Sequence, residues 1–164
     1  MEGAGLLAPF LVVCLISVIS VLVKGYFMIF EFSKKIYGFD CDVYGHLNNA
    51  CYLQIYEAAR AEALNSMGMP IAKLKKMSIM LFLIRVEIDY LKGVELEDTI
   101  TVKSRVVEHN RLKSIWKQEI YDSTNRLCSR AVVTGVYVSE GKPVRIEKEL
   151  FEYFDKFVEV LVRG

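Results

Sequence analysis

The sequence predicts an α+β domain in which an antiparallel sheet curls around one long helix and a second helix closes the C-terminus. Three observations carry this. One helix-length stretch places Tyr52, Ile55, Tyr56, Ala59, Ala63 and Met67 at helical spacing. The stretches after it alternate as strands do, and the turns between them are too short for crossover helices. From about Glu147 the spacing becomes helical again, with Leu150, Phe151, Phe154, Val158 and Leu161 on one stripe.

Taken in order, a first strand begins at Ile29, with Ile29, Glu31, Ser33 and Lys35 on one side and Phe30, Phe32 and Lys34 on the other. The loop 38–49 follows, and Asn48 or Asn49 is a natural N-cap for the long helix. That helix ends near Gly68 and Pro70. Strands are then expected over 85–90, 99–106, 112–121 and 127–138. In the first of these, Val86, Ile88 and Tyr90 alternate with Arg85, Glu87 and Asp89. Glu108-His109-Asn110-Arg111 and Asp122-Ser123-Thr124-Asn125 read as turns. His109 is expected to be solvated there.

The 164 residues suit one domain with a real core. With 21 basic and 20 acidic residues and no long basic block, nucleic acid is not the expected partner. Cys14, Cys41, Cys51 and Cys128 have no CxxC spacing and there are two histidines, so neither a metal site nor a disulfide framework is expected. A reduced, intracellular protein without a cofactor is the simpler reading.

Residues 3–23 carry no charge and are almost wholly aliphatic from Leu6 onward. About 20 apolar residues suffice to cross a bilayer. No positive segment precedes the run and no small-residue cleavage site follows it, which disfavours a cleaved signal peptide. Lys24, Lys34 and Lys35 come after it, so an anchor would leave the domain facing the cytoplasm. Met28 opens the first strand, however, so residues 1–27 read equally as an upstream extension from a wrongly chosen start codon. The domain proper is taken as 28–164, cytoplasmic or tethered to the membrane.

The segment Asp40-Cys-Asp-Val-Tyr-Gly-His-Leu-Asn-Asn-Ala-Cys-Tyr is the densest in usable groups. It puts a carboxylate, an imidazole and two amides on a turn just ahead of the electropositive start of a helix. That arrangement suits chemistry in which negative charge develops on a carbonyl oxygen.

Asp40-x-Asp42-x-x-Gly45-His46-Leu47-Asn48-Asn49-x-x-Tyr52, with Glu57 and Arg60 after it, resembles the signature of the hotdog-fold acyl-CoA thioesterases, and most closely the 4-hydroxybenzoyl-CoA thioesterase-like group. The resemblance implies a hotdog fold, hydrolysis of a thioester, and homodimers or homotetramers with substrate at the subunit boundary. It implies an acyl-CoA substrate, or an acyl group on a carrier protein, and Asp42 as base or nucleophile. A thioester has a good leaving group, so a positioned carboxylate and an oxyanion site supply the main needs. Main-chain amides from Asn49 to Cys51 are the expected oxyanion donors. The bland alternative makes Asp42 a turn residue bonded to its own backbone.

Asp40 reads as structural. Gly45 serves either backbone freedom or close approach of substrate. His46 either orients Asp42 or the thioester, or packs within the loop. Tyr44, Gly45, Asn48, Asn49, Cys51 and Tyr52 are the candidate substrate-binding positions, with capping the safer role for the asparagines and core packing for Tyr52 and Tyr56. Glu57 is the second candidate base, because some hotdog thioesterases draw their carboxylate from this helix; with Arg60 at i+3 it is equally placed for an ion pair. Met67, Met69, Met77 and Met80 are candidates for an acyl tunnel, though core filling explains them as well.

The sequence departs from one branch of the family, which has a histidine where this chain has Asn49. It also lacks the Asp-x-Asn-Pro-x-His pattern of the hotdog enoyl-CoA hydratases, which disfavours that activity. The remaining alternative is a non-catalytic module that binds acyl-CoA or an acyl-carrier protein.

Overall fold

The computed structural model describes residues 28–159. The anchor or extension expected over residues 1–27 therefore lies outside the described residues, as does Leu161. No described helix is long and apolar enough to cross a membrane.

Strand β1 (Phe30–Lys35) leads through a short 3-10 turn (Gly38–Asp40) and the motif loop into helix α1 (Asn49–Ser66). A six-residue helix α2 (Ile71–Lys76) precedes four long strands: β2 (Met80–Tyr90), β3 (Thr99–His109), β4 (Lys113–Tyr121) and β5 (Leu127–Ser139). A two-residue strand β6 (Lys142–Pro143) and helix α3 (Lys148–Asp155) follow. The sheet is antiparallel in the order β1-β3-β4-β5-β2, with β6 on β5.

The apolar stripe of α1 buries Tyr52, Ile55, Tyr56, Ala59 and Ala63, followed by Met67 at the C-cap. It lies against the inward residues of the sheet, among them Ile100, Val102, Trp116, Ile120, Ala131 and Val133. These alternate with outward charged residues such as Lys103, Arg105, Lys117 and Arg130, as a one-sided sheet requires. At the helix end, Met69 N bonds Leu64 O and Gly68 N bonds Asn65 O, both at 2.9 Å, closing a Schellman motif around Gly68.

Polar residues interrupt the apolar layer at Ser104, Ser114, Gln118 and Ser129. Gln118 and Ser104 are buried in phase with their strands' core positions. Gln118 Nε2 donates to Tyr56 O at 3.0 Å and to Ser104 Oγ at 2.9 Å, so both amide hydrogens are spent on fixed acceptors.

Where β1 runs out along β3, the C-terminal residues take over its edge. Val158 forms a parallel bridge with Val106, and Glu159 N donates to Val106 O at 2.8 Å. This ends α3 at Asp155, so Val158 joins the sheet instead of the expected helical stripe.

The expectation of a solvated His109 is overturned. Its ring stacks on Phe151 with centroids 5.1 Å apart, and Nε2 shares a 2.7 Å hydrogen bond with the Tyr137 hydroxyl. Nδ1 is buried without a partner. Burial pulls the imidazole pKa below its ordinary value, and the nearby Asp155 charge only partly offsets this.

Candidate active site

The motif loop is a tight double bridge. Asp42 N donates to His46 O at 2.8 Å and Gly45 N to Asp42 O at 3.1 Å, while Cys41 pairs with Leu47 across the turn. Gly45 takes φ +80 with nothing within 4 Å of where a Cβ would stand. Its role is backbone freedom in the left-handed region.

Asp40 and Asp42 are two residues apart and do different things. Asp40 is buried, accepts from Tyr37 N at 3.0 Å and pairs with Lys34 at 2.7 Å. Its carbonyl also receives Asn48 N at 2.9 Å, so it ties β1, the turn and the helix start together. Asp42 is half-buried. Its Oδ1 accepts from Tyr44 N at 2.9 Å and from His46 N at 3.4 Å, while Oδ2 accepts nothing among the described residues.

His46 is exposed and lies over the backbone of Gly93, where an added Cβ would come within 2.9 Å of its Cδ2. The neighbouring main chain reinforces the contact, with Leu47 N to Val94 O at 2.8 Å and His46 bridged to Glu95. His46 makes no side-chain hydrogen bond to Asp42 among the described residues. Val43 and Tyr44 are 93% and 82% exposed, so the turn's tip projects into solvent.

Asn48 is the N-cap. Its Oδ1 accepts from Ala50 N at 2.9 Å and its main-chain O from Cys51 N at 2.9 Å. Asn49 Oδ1 also receives Ala50 N, at 3.0 Å. Of the amides from Asn49 to Cys51, two are thus taken, and that of Asn49 has no partner among the described residues. Asn49 O accepts from the Tyr90 hydroxyl at 3.2 Å, which pins the end of β2 to the start of α1. Tyr90 meets Tyr52 edge to face at 5.1 Å. Tyr52 is buried in the core, and desolvation pushes its phenol up to about 12. Cys51 is half-buried beside the loop, and Cys41 has its thiol pushed up by burial and by the charges of Asp40 and Asp42.

Glu57 stands apart from this group, roughly 12 Å down the helix axis from Asn49 at about 1.5 Å per residue. It is exposed and lines the mouth of a cavity of about 370 Å³ under the second half of α1. The expected Glu57–Arg60 ion pair does not form. Arg60 turns inward, and its Nη1 donates to Gln118 Oε1 at 2.7 Å. Of the four methionines, Met80 lines this cavity, Met67 and Met69 are core and Met77 is exposed. Residue-type reasoning missed Gln118, although its place in phase with Trp116 and Ile120 marks it as a polar residue on an inward face.

The sequence profile of the Thioesterase-like superfamily matches residues 39–154. The chain belongs to that superfamily. It is 28% identical over 127 residues to the long-chain acyl-CoA thioesterase FadM of Escherichia coli, covering 76% of this chain and 96% of that one. It is also 28% identical to the acyl-CoA thioesterase YbgC of Haemophilus influenzae, over 74% of this chain and 90% of the relative. The DHNA-CoA thioesterase of Staphylococcus aureus superposes with a TM-score of 0.74 at 20% identity, covering 78% of this chain and 89% of that one. A second S. aureus protein, SAV2348, solved in complex with CoA, superposes at 0.75 with 14% identity, over 88% and 94%. The fold of this thioesterase-like chain is the hotdog fold expected above. Its standing as a thioester hydrolase rests on the superfamily match and on the acyl-CoA thioesterases among its relatives.

Proposed function

We propose that this chain hydrolyses acyl-CoA thioesters at the start of α1, with Asp42 as the reacting carboxylate and the Asn49 amide as an oxyanion donor. One observation carries the reading: the turn spends Oδ1 of Asp42 on its own backbone, and among the described residues neither Oδ2 nor the Asn49 amide at the helix start has a partner. The bland role and the chemical one therefore coexist, one on each oxygen.

In the base mechanism, Oδ2 takes a proton from water, the resulting hydroxide adds to the thioester carbonyl, and the oxygen of the tetrahedral intermediate rests on the Asn49 amide. Collapse expels the CoA thiolate, which recovers the proton and leaves the free acid. In the nucleophilic mechanism, Oδ2 itself adds and expels the thiolate, and water then cleaves the mixed anhydride. Tyr44 and Gly45, in the same turn, and Asn49 at the helix start are the proposed substrate contacts, and His46 supports the turn by packing on Gly93.

The unit is proposed to be a homodimer or a pair of dimers. Among the described residues strand β2 ends the sheet, and its Phe82, Leu83, Ile84 and Tyr90 are exposed. A long apolar edge of this kind is normally covered by another strand. A second copy of β2 would provide that cover.

Thiol release from a panel of acyl-CoAs, with Asp42→Ala alongside, tests the reading. Hydrolysis by the unmutated chain that is lost in Asp42→Ala is the expected result. No hydrolysis on any chain length overturns the activity, and a fully active Asp42→Ala moves the chemistry elsewhere. A strictly monomeric chain on a sizing column removes the dimer.

A further inference from the structure

Arg60 is half-buried, makes no ion pair among the described residues, and lines the cavity at the far half of α1. Leu64, Leu74, Leu81 and Trp116 make most of that cavity apolar, with Glu57 and Lys75 as its other charged residues. No carboxylate lies within 4 Å of Arg60 among the described residues; Glu57 is near enough to favour its charge but stays exposed. Among the described residues only Nη1 is engaged, at 2.7 Å on Gln118 Oε1. Gln118 is 0% exposed and its two amide hydrogens are spent on Tyr56 O and Ser104 Oγ, so it can offer Arg60 nothing but that neutral oxygen. Burial disfavours the charged guanidinium more than Glu57 favours it. A partly desolvated charge resting on one neutral acceptor is stabilised by anything that supplies the opposite charge.

One strand, β2, reaches both the cavity and the proposed reaction centre. At one end of β2, Tyr90 is pinned to Asn49 at the helix start, and at the other end Met80 to Leu83 line the cavity. From Asn49 to Arg60 is roughly 16 Å at about 1.5 Å per residue, a distance an extended long-chain acyl group spans. Resting on the hydrolase reading above, we propose that the cavity holds the distal end of the acyl group and that Arg60 binds a carboxylate there. The favoured substrates are then CoA monothioesters of long-chain dicarboxylic acids. Arg60 is the binding residue, and Gln118 is a positioning residue that aims its fork into the cavity.

The test compares kcat/KM of the full chain for tetradecanedioyl-CoA (the monothioester) and myristoyl-CoA. The same proteins are titrated with free tetradecanedioate, myristate and CoA. The expected result is a preference for the dioyl ester of about tenfold, the effect of one good charge-assisted contact. That ratio collapses towards one in Arg60→Met and is partly kept in Arg60→Lys. A parent chain that treats both esters alike, or prefers myristoyl-CoA, overturns the proposal without any variant having to fold. Loss of affinity for free CoA but not for the dioate in Arg60→Met also overturns it, since the anion would then be a CoA phosphate. If neither ester is hydrolysed while tetradecanedioate still binds more tightly than myristate through Arg60, the hydrolase reading falls and the carboxylate site stands.

Discussion

At its start α1 is held near the surface by short local hydrogen bonds; at its far half it rests a half-buried charge on a buried amide. The start is made of short local contacts: Asn48 caps Ala50, Asp42 closes its own turn, and the tip bearing Val43 and Tyr44 stands in solvent. The far half depends on residues distant in sequence, since Arg60 needs Gln118 and Gln118 needs Tyr56 and Ser104. A locally closed turn can present a free carboxylate oxygen at little cost to the core. The interior network cannot be altered without disturbing the packing of helix on sheet.

Substitutions sharpen this contrast. The largest expected effect is functional and belongs to the start: Asp42→Ala should lower kcat by about 10²–10⁴-fold, the usual weight of a positioned acid–base group, with little change in Tm. A variant that loses stability as much as activity would reduce Asp42 to a turn residue. Next comes Gln118→Leu, which strips Arg60 of its acceptor and should cost about 3 kcal/mol, read as a lower denaturant midpoint. If it melts like the parent, the interior network contributes nothing. Asn48→Ala removes the cap and should cost about 1 kcal/mol, and an intact rate in that variant would confine the asparagine to capping.

The smallest effect is one of pH. Burial lowers the pKa of His109 in the folded chain, so the unfolded chain takes up the proton first as pH falls through about 6.5. Stability is full above that value, declines between it and the folded-state pKa, and is flat below. His109→Gln should therefore show a shallower fall in Tm from pH 7 to 5 than the parent; equal slopes would contradict the burial of the imidazole.

Much of the fold was legible because its periods are clean. Tyr52, Ile55, Tyr56, Ala59 and Ala63 are buried together because α1 packs one stripe on one sheet. Strands β3, β4 and β5 alternate because one of their faces is covered. Strand β2 was read only from Arg85 onward. A register shift between Leu83 and Arg85 breaks its phase, and the edge leaves Phe82 and Ile84 exposed, so Met80 to Ile84 form an apolar run without alternation. Helix α2 was missed because Gly68 and Pro70 read as a stop, whereas Pro70 also stands at the N-cap of the next helix. At the site, the turn, the cap and the structural role of Asp40 followed from residue types. The inward swing of Arg60 did not, because its acceptor lies 58 residues away and only the folded sheet brings it there.

The free edge of β2 matters earliest while the chain is being made. Among the described residues strand β2 pairs only with β5, and β3 and β4 both lie between them in the chain, so it leaves the ribosome before that partner is made. During that interval the run Met80-Leu81-Phe82-Leu83-Ile84 is an uncharged, strand-forming segment of the kind that recruits other chains. Concentration then acts in two opposite ways. Crowding before β5 emerges favours aggregates, and crowding after it favours the companion subunit that covers the same edge.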